Sequence, residues 1–317
     1  MNMRLITIWM LAWGAGVVAS SADVSVEVES DRIVLRGPLH PILTYHTSVV
    51  PPPAGEDPLY QRSGFIHPLR APNGDVVTGT HPSDHIHHMG LWHAWVKTEW
   101  QGRELDFWNL KKGLAKVRYV ETLNIERGEK TVGFTARQQQ VALPEADHPE
   151  VVVLEEALTV RASAQDGVTV VDYTIEQTNV TEFPLEMPAY RYGGGIAFRA
   201  PENWGEKNDA YLTSTGLDRT EGHATRANWV LMQGPTSQGN AAVVIMSHPS
   251  NHDSPQRVRI WPKGKVFFNY VPAQEHAWAI QPGETITLRY RLLIWDQSPA
   301  NSAVDIHWQR YQQSLAK

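Results

Sequence analysis

Four long runs, residues 116–125, 131–143, 151–162 and 168–179, are dominated by β-branched or alternating side chains. Short polar reversals such as Arg127-Gly128-Glu129-Lys130 and Gln165-Asp166-Gly167 divide them. A period of two over ten residues is a strand signature, and reversals this short permit antiparallel neighbours only. No helix-period insert supplies a parallel crossover. Further strand signals lie at 24–28, 33–35, 42–50, 65–69, 76–78, 91–96, 229–232, 241–246, 258–261, 266–270 and 285–295. The stiff Pro51-Pro52-Pro53-Ala54-Gly55 ends one of them, and the Asn73-Gly74 pair marks a hairpin turn.

So many strands imply an all-β chain, a large antiparallel β-sandwich of two stacked sheets with polar loops along an open face. One C-terminal helix is predicted over about 301–316, because Val304, Trp308, Tyr311 and Leu315 recur at helical spacing after Ser302-x-x-Asp305, a capping-box pattern. The alternative is a double-stranded barrel of cupin type with His85-x-His87 as its metal pair. A cupin would be shorter, and no Glu follows His87 at a suitable distance.

The chain has no cysteine, which excludes disulfides, thiolate nucleophiles and Cys-type zinc sites. A net charge of -6 without a basic run argues against a nucleic-acid partner. Residues 1–22 combine a basic start, an apolar run and small residues before Ala22, the pattern of a secretory signal peptide. The mature protein is then expected to be a single domain over 23–317, periplasmic or secreted, with no transmembrane segment after signal removal.

Chemistry concentrates in one stretch. Five of the 14 histidines fall between His81 and His93, interleaved with Asp84, Trp92 and Trp95. Near neutral pH an imidazole donates, accepts or binds a metal, so this clustering points to a site. An extended backbone over 84–88 would put His85 and His87 on one face and His88 on the other; a turn would let all three converge. A second polar loop, residues 247–253, carries His248, Asn251, His252 and Asp253, and a glycine-rich segment, Gly193-Gly194-Gly195, follows Tyr190 and Arg191. Those glycines lack the setting of a phosphate or dinucleotide loop and read as a bend or a close backbone approach.

The expected catalytic groups are His85, His87, His88, His248, Arg191 and Tyr190, with Arg191 orienting a hydroxyl or carboxylate. Trp92, Trp95, His93, Asn251, His252 and Glu186 are expected to contact substrate, with Trp100 and Trp108 as further stacking faces among 12 tryptophans. This predicts a carbohydrate-active enzyme of lyase, epimerase or hydrolase type, its partner a sugar or oligosaccharide. Two alternatives stand beside it. Asp84, His85, His87 and His252 could hold a divalent metal, or the tryptophans could serve a carbohydrate-binding protein without catalysis.

Spaced motifs run along the chain: Phe65-Ile66-His67-Pro68-Leu69, His81-Pro82 with Asp84-His85-Ile86-His87-His88-Met89-Gly90-Leu91-Trp92, Asp106-Phe107-Trp108, Tyr192-Gly193-Gly194, and Ser247-His248-Pro249-Ser250-Asn251 followed by Phe267-Phe268-Asn269. With them the chain resembles the PmoA-like family of exported bacterial proteins, an uncharacterised domain family often labelled methane oxygenase. The resemblance implies a periplasmic or secreted protein of bacteria that degrade complex polysaccharide. It also implies a sandwich similar to the galactose-mutarotase-like supersandwich of sugar epimerases and several polysaccharide lyases.

Overall fold

A computed structural model describes residues 24–165 and 167–314. The expected signal segment and Leu315 lie outside these residues, as does Asp166 of the 165–167 reversal.

Alternating side chains produce what their period predicts. Among the described residues every strand pairing is antiparallel, and the strands form two eight-stranded sheets and one four-stranded sheet. The first sheet runs in the order Ser25–Val28, Arg32–Arg36, Pro41–His46, Phe65–Leu69, Leu91–His93, Ile196–Arg199, Phe267–Val271, Arg257–Ile260. The second holds the four long strands, Ala115–Arg127, Val132–Ala142, Val151–Gln165 and Val168–Asn179, continued by Thr285–Trp295, Gly239–Ser247, Trp229–Thr236 and Ala210–Thr213. These two sheets stack face to face. Ile33, Leu43, Leu91, Phe198 and Phe268 of the first meet Phe134, Leu158, Ile175, Ile245 and Leu292 of the second in the main core.

The third sheet is the layer the sequence reading left out. Its strands, Thr98–Trp100, Arg103–Leu105, Leu185–Met187 and Trp278–Ile280, have three residues each, too few to display a period. They bury Trp100, Leu105, Leu185, Met187 and Ile280 in a second core that also takes in Trp92, Ala197 and Phe267 of the first sheet. The central strands of the first sheet therefore send alternate residues to opposite sides. Leu91 goes to the main core and Trp92 to the second; Phe198 and Ala197 divide in the same way, as do Phe268 and Phe267. This open set of stacked sheets takes the place of the alternative barrel.

The helix spans Asn301–Gln312 and lays Val304 and Tyr311 on the outer face of the second sheet, against Val244, Met246 and Leu293. Ser302 does not cap it, a correction to the capping-box reading: the N-cap is Ala300, which makes no side-chain hydrogen bond. Among the described residues no helix is long and apolar enough to cross a membrane.

Candidate functional site

The histidine-rich segment folds as consecutive turns rather than a strand. His85 N–H donates to Pro82 O, His88 N–H to His85 O, and His81 N–H to His88 O at 2.9–3.1 Å. Its two ends are bonded to the sheet, with Gly79 N–H donating to Arg199 O and Arg199 N–H to Gly90 O. Of the two backbone conformations the sequence allowed, the turn is the one that occurs. The rings of His85, His87 and His88 lie 4.8–5.8 Å apart, centroid to centroid.

Below the three imidazoles the second core supplies aromatic walls. His88, 2 % exposed, stacks on Phe267 at 4.7 Å and lies 5.1 Å from Trp92. Trp261 packs on His85 at 4.5 Å and on Phe267 at 4.9 Å. Asp106 is sealed inside, where its carboxylate accepts from the N–H groups of Trp108 and Asn109 and from Asn109 Nδ2. That turn presents Trp108 and Asn109 to the cavity, and Asn109 Nδ2 donates to Tyr192 Oη at 3.1 Å. The cavity so enclosed measures about 180 Å³ and is completed by Arg191, Tyr192 and Arg259. A larger depression of about 260 Å³ lies elsewhere, lined chiefly by apolar residues such as Pro38, Leu39, Ile42 and Val168. With His40 its one titratable side chain among the described residues, it offers little for acid/base work.

Burial sets the protonation state of the three imidazoles. It pushes His87 down to about 4, with repulsion from His85, Arg62 and Arg199 outweighing the pull of Asp106. His88 is pushed well below the ordinary range by burial, then by His87, Arg199 and His85. Burial lowers His85 too, more than Asp84 raises it. All three are neutral at pH 7, so each ring has one donor and one acceptor nitrogen. His85 Nδ1, 3.4 Å from Asp84 Oδ2, makes no hydrogen bond, and buried His88 Nδ1 also has no partner among the described residues. Asp84 is engaged by Arg199 at 2.6 Å, which holds its carboxyl below the usual range although burial alone would raise it.

The structure separates the other expected site residues from this cavity. The two histidine loops do not converge. Residues 247–253 contribute nothing to the lining; His248 instead packs edge-on against Tyr311 of the helix at 5.1 Å, and its Nδ1 bonds Ser250 Oγ. Asn251 ties its loop to the neighbouring strand through Arg289 N and O. His252 lies flat on Trp278 at 3.9 Å. His93 faces the opposite side of its strand from Trp92, since neighbours on a strand point apart. It is buried between Glu156, 2.8 Å from Nε2, and Tyr173, 2.9 Å from Nδ1. Trp95 is a core group whose Nε1 donates to Gln177, and Trp100 likewise donates to Thr181. Trp92, 0 % exposed, is a floor under His88 rather than an open stacking face. Glu186 is exposed on the small sheet and pairs in register with Glu99 and Ala279. Tyr190 leans on Tyr192 at 5.1 Å, outside the lining, and Arg191 reaches it.

Among the described residues no group of three or more His, Asp or Glu side chains is placed to hold a metal ion. With His252 on Trp278 and Asp84 on Arg199, the expected ligand set is dispersed.

Sequence reading missed Arg259, Trp261 and Asn109. The signal was present for the first two: in Arg257-Val258-Arg259-Ile260-Trp261, Val258 and Ile260 belong to the main core, so Arg257, Arg259 and Trp261 face the other way.

No curated protein matches the chain. The solved structures it is similar to include a galactose mutarotase related enzyme from Lactobacillus acidophilus, at 8 % identity and TM-score 0.38 over 87 % of this chain and 100 % of that one. A putative aldose 1-epimerase from Escherichia coli K12 is 10 % identical, with TM-score 0.36 over 86 % of this chain and 99 % of that one. A GH36 α-galactosidase, AgaA, from Geobacillus stearothermophilus is 11 % identical, with TM-score 0.42 over 84 % of this chain and 41 % of the other. A family of unknown function, DUF6807, matches residues 33–309, nearly the whole of the described chain, and the protein belongs to that family.

Proposed function

We propose that the protein is a carbohydrate-active enzyme that moves protons at a sugar carbon or oxygen with the neutral histidines of this pocket, in a reaction of epimerase, lyase or hydrolase type. The observation that carries the reading is the meeting of three imidazoles, all lowered by burial, around one cavity walled by aromatic rings. Such chemistry needs one group to take a proton and another to supply one, and adjacent neutral imidazoles provide both. Flat faces at Trp261 and Tyr192 suit the apolar side of a sugar ring, while Asn109 and the open ring nitrogens suit its hydroxyls. Export rests on the N-terminal pattern and is part of the same proposal; N-terminal sequencing of secreted protein should begin near Asp23.

The test is a turnover screen over glycosides, uronates and keto-sugars with wild type, His87→Ala and, as a surface control, His148→Ala. His87→Ala is expected to stay folded and to lose at least roughly 100-fold in kcat/KM, the usual worth of a positioned acid or base. Activity equal to wild type would remove His87 from the chemistry. The pH profile gives a second readout. Because His87 is neutral above about pH 4, kcat/KM of a reaction using it as base should hold from neutrality down and fall only as pH approaches that value. A fall centred near the ordinary imidazole value, about 6.5, would identify a solvated histidine as the base instead.

A further inference from the structure

Arg199, Arg257 and Arg259, on the strands Ile196–Arg199 and Arg257–Ile260, occupy the side of the first sheet that faces away from the main core. Arg199 has Asp84 at 2.6 Å and Arg257 has Glu275 at 2.9 Å. Arg259, two residues along the same strand and on the same side as Arg257, meets no carboxylate and no other hydrogen-bond acceptor among the described residues. Its guanidinium lies 5.4 Å over the Tyr192 ring. The Arg191 guanidinium lies 5.7 Å from that ring and is equally without an acid. Two cations thus share one aromatic ring, and that ring lines the histidine cavity, as both arginines do.

No carboxylate belongs to the lining among the described residues. The nearby acids are committed elsewhere: Asp84 to Arg199, and Asp106 to Lys112 and the 108–109 turn. Burial weakens protonation of Arg259, and Arg191 adds to the effect. A half-buried guanidinium beside a second one is unfavourable unless a counter-charge completes it, and the protein supplies none. Guanidinium forks match carboxylates in geometry, and in a cavity shielded from water such a contact strengthens.

The geometry points to a substrate that carries a carboxylate: we propose that the pocket takes a uronic acid ring, with Arg259 and the more exposed Arg191 on the carboxylate and the three histidines at the ring. A cavity of about 180 Å³ has room for one ring. This inference rests on the histidine pocket being the substrate site, and its test separates the two ideas.

Binding of methyl glucuronides and methyl galacturonides to the full chain, compared with the matching methyl glucosides and galactosides, should be measured by calorimetry and by thermal shift. The uronates are expected to bind at least tenfold more tightly than their neutral counterparts, with affinity falling as salt is raised. Arg259→Met should weaken uronate binding at least tenfold at an unchanged melting temperature. Arg259→Lys, which keeps the charge and loses the fork, should fall between, so that a folding defect in one variant does not decide the matter. Equal affinity for neutral and acidic sugars, no binding of any of these uronates, or uronate binding untouched in both Arg259 variants would overturn the proposal. If His87→Ala abolishes turnover of a neutral sugar while Arg259→Met leaves it intact, the anion reading falls and the histidine reading stands. If uronates bind through Arg259 and no product forms, the receptor stands and the acid/base reading falls.

Discussion

Replacing Glu156 with alanine is expected to destabilise the protein by about 3–5 kcal/mol, because it removes a buried carboxylate on which several buried donors converge. Glu156 is 2 % exposed between the two large sheets, and its carboxylate accepts from His93 Nε2 at 2.8 Å and from the amides of Gln138, Gln140 and Gln177 at 2.7–3.1 Å. His93 continues the network to Tyr173, and its carbonyl accepts from buried Arg62. Deleting the carboxylate leaves three amides and an imidazole without an acceptor in the core, each worth about 1–3 kcal/mol of lost compensation. In a chain of this size that amounts to a fall in melting temperature of roughly 5–8 °C. Denaturant unfolding measures it directly, and a loss under about 1 kcal/mol would mean that water or relaxation satisfies the network. The pH dependence has a definite sign. Burial would raise this carboxyl, but His93 and the glutamines more than offset it and hold it below its ordinary value. The stabilisation is therefore complete above the unfolded carboxyl value, about 4.3, and is lost as pH falls through the lower folded value. Glu156→Gln should remove that part of the acid limb.

Gly194→Ala should cost roughly 2–5 kcal/mol, for two reasons that can be separated. The residue sits at φ +87°, and an added Cβ would lie 2.3–2.9 Å from three carbons of the Trp95 ring. The left-handed conformation costs a side chain about 1–2 kcal/mol, and overpacking adds about 1–3. The indole has no easy way to retreat, because Trp95 is 3 % exposed and its Nε1 is bonded to Gln177. Gly216 is the control: it has φ +81° with nothing within 4 Å of an added Cβ, so Gly216→Ala should show the backbone cost alone. Equal losses in the two variants would show that the contact with Trp95 is relieved by movement. The pair also tests why three glycines precede the strand Ile196–Arg199. They let the chain pass close over Val96, Trp95 and Tyr270 in turn and place Arg191 and Tyr192 at the cavity.

Much of the architecture could be read from side-chain alternation. The strands Val168–Asn179 and Thr285–Trp295 have the predicted limits, and the strand predicted over 151–162 runs on to Gln165. Prediction failed where elements were short or where the signal belonged to another structure. The run at 91–96 looks like one strand, yet it ends at His93 because residues 94–96 turn to pack on the glycine segment. Ser302-x-x-Asp305 fits a capping box, but the helix runs from Asn301 and its N-cap is Ala300, two residues before Ser302.

The candidate site divides in the same manner. Alternation alone would have assigned His93 to the opposite face from Trp92 and placed Arg259 opposite Val258 and Ile260. Composition alone marked His85, His87 and His88. What no local pattern contains is the order of strands. In the first sheet Leu91–His93 lies beside Ile196–Arg199, then Phe267–Val271, then Arg257–Ile260, so residues more than 160 positions apart share one face. That order is selected by burying two apolar faces at once, one against the long strands and one against the small sheet. It brings Arg259 to the histidines and carries His248 to the helix. The sequence by itself determined which side of each strand a residue faces and which residues could do chemistry, because those follow from backbone period and side-chain type. Only the tertiary structure decided which of them meet, because loop partnership is set by long-range sheet packing, in which every strand contributes and no single segment records the result.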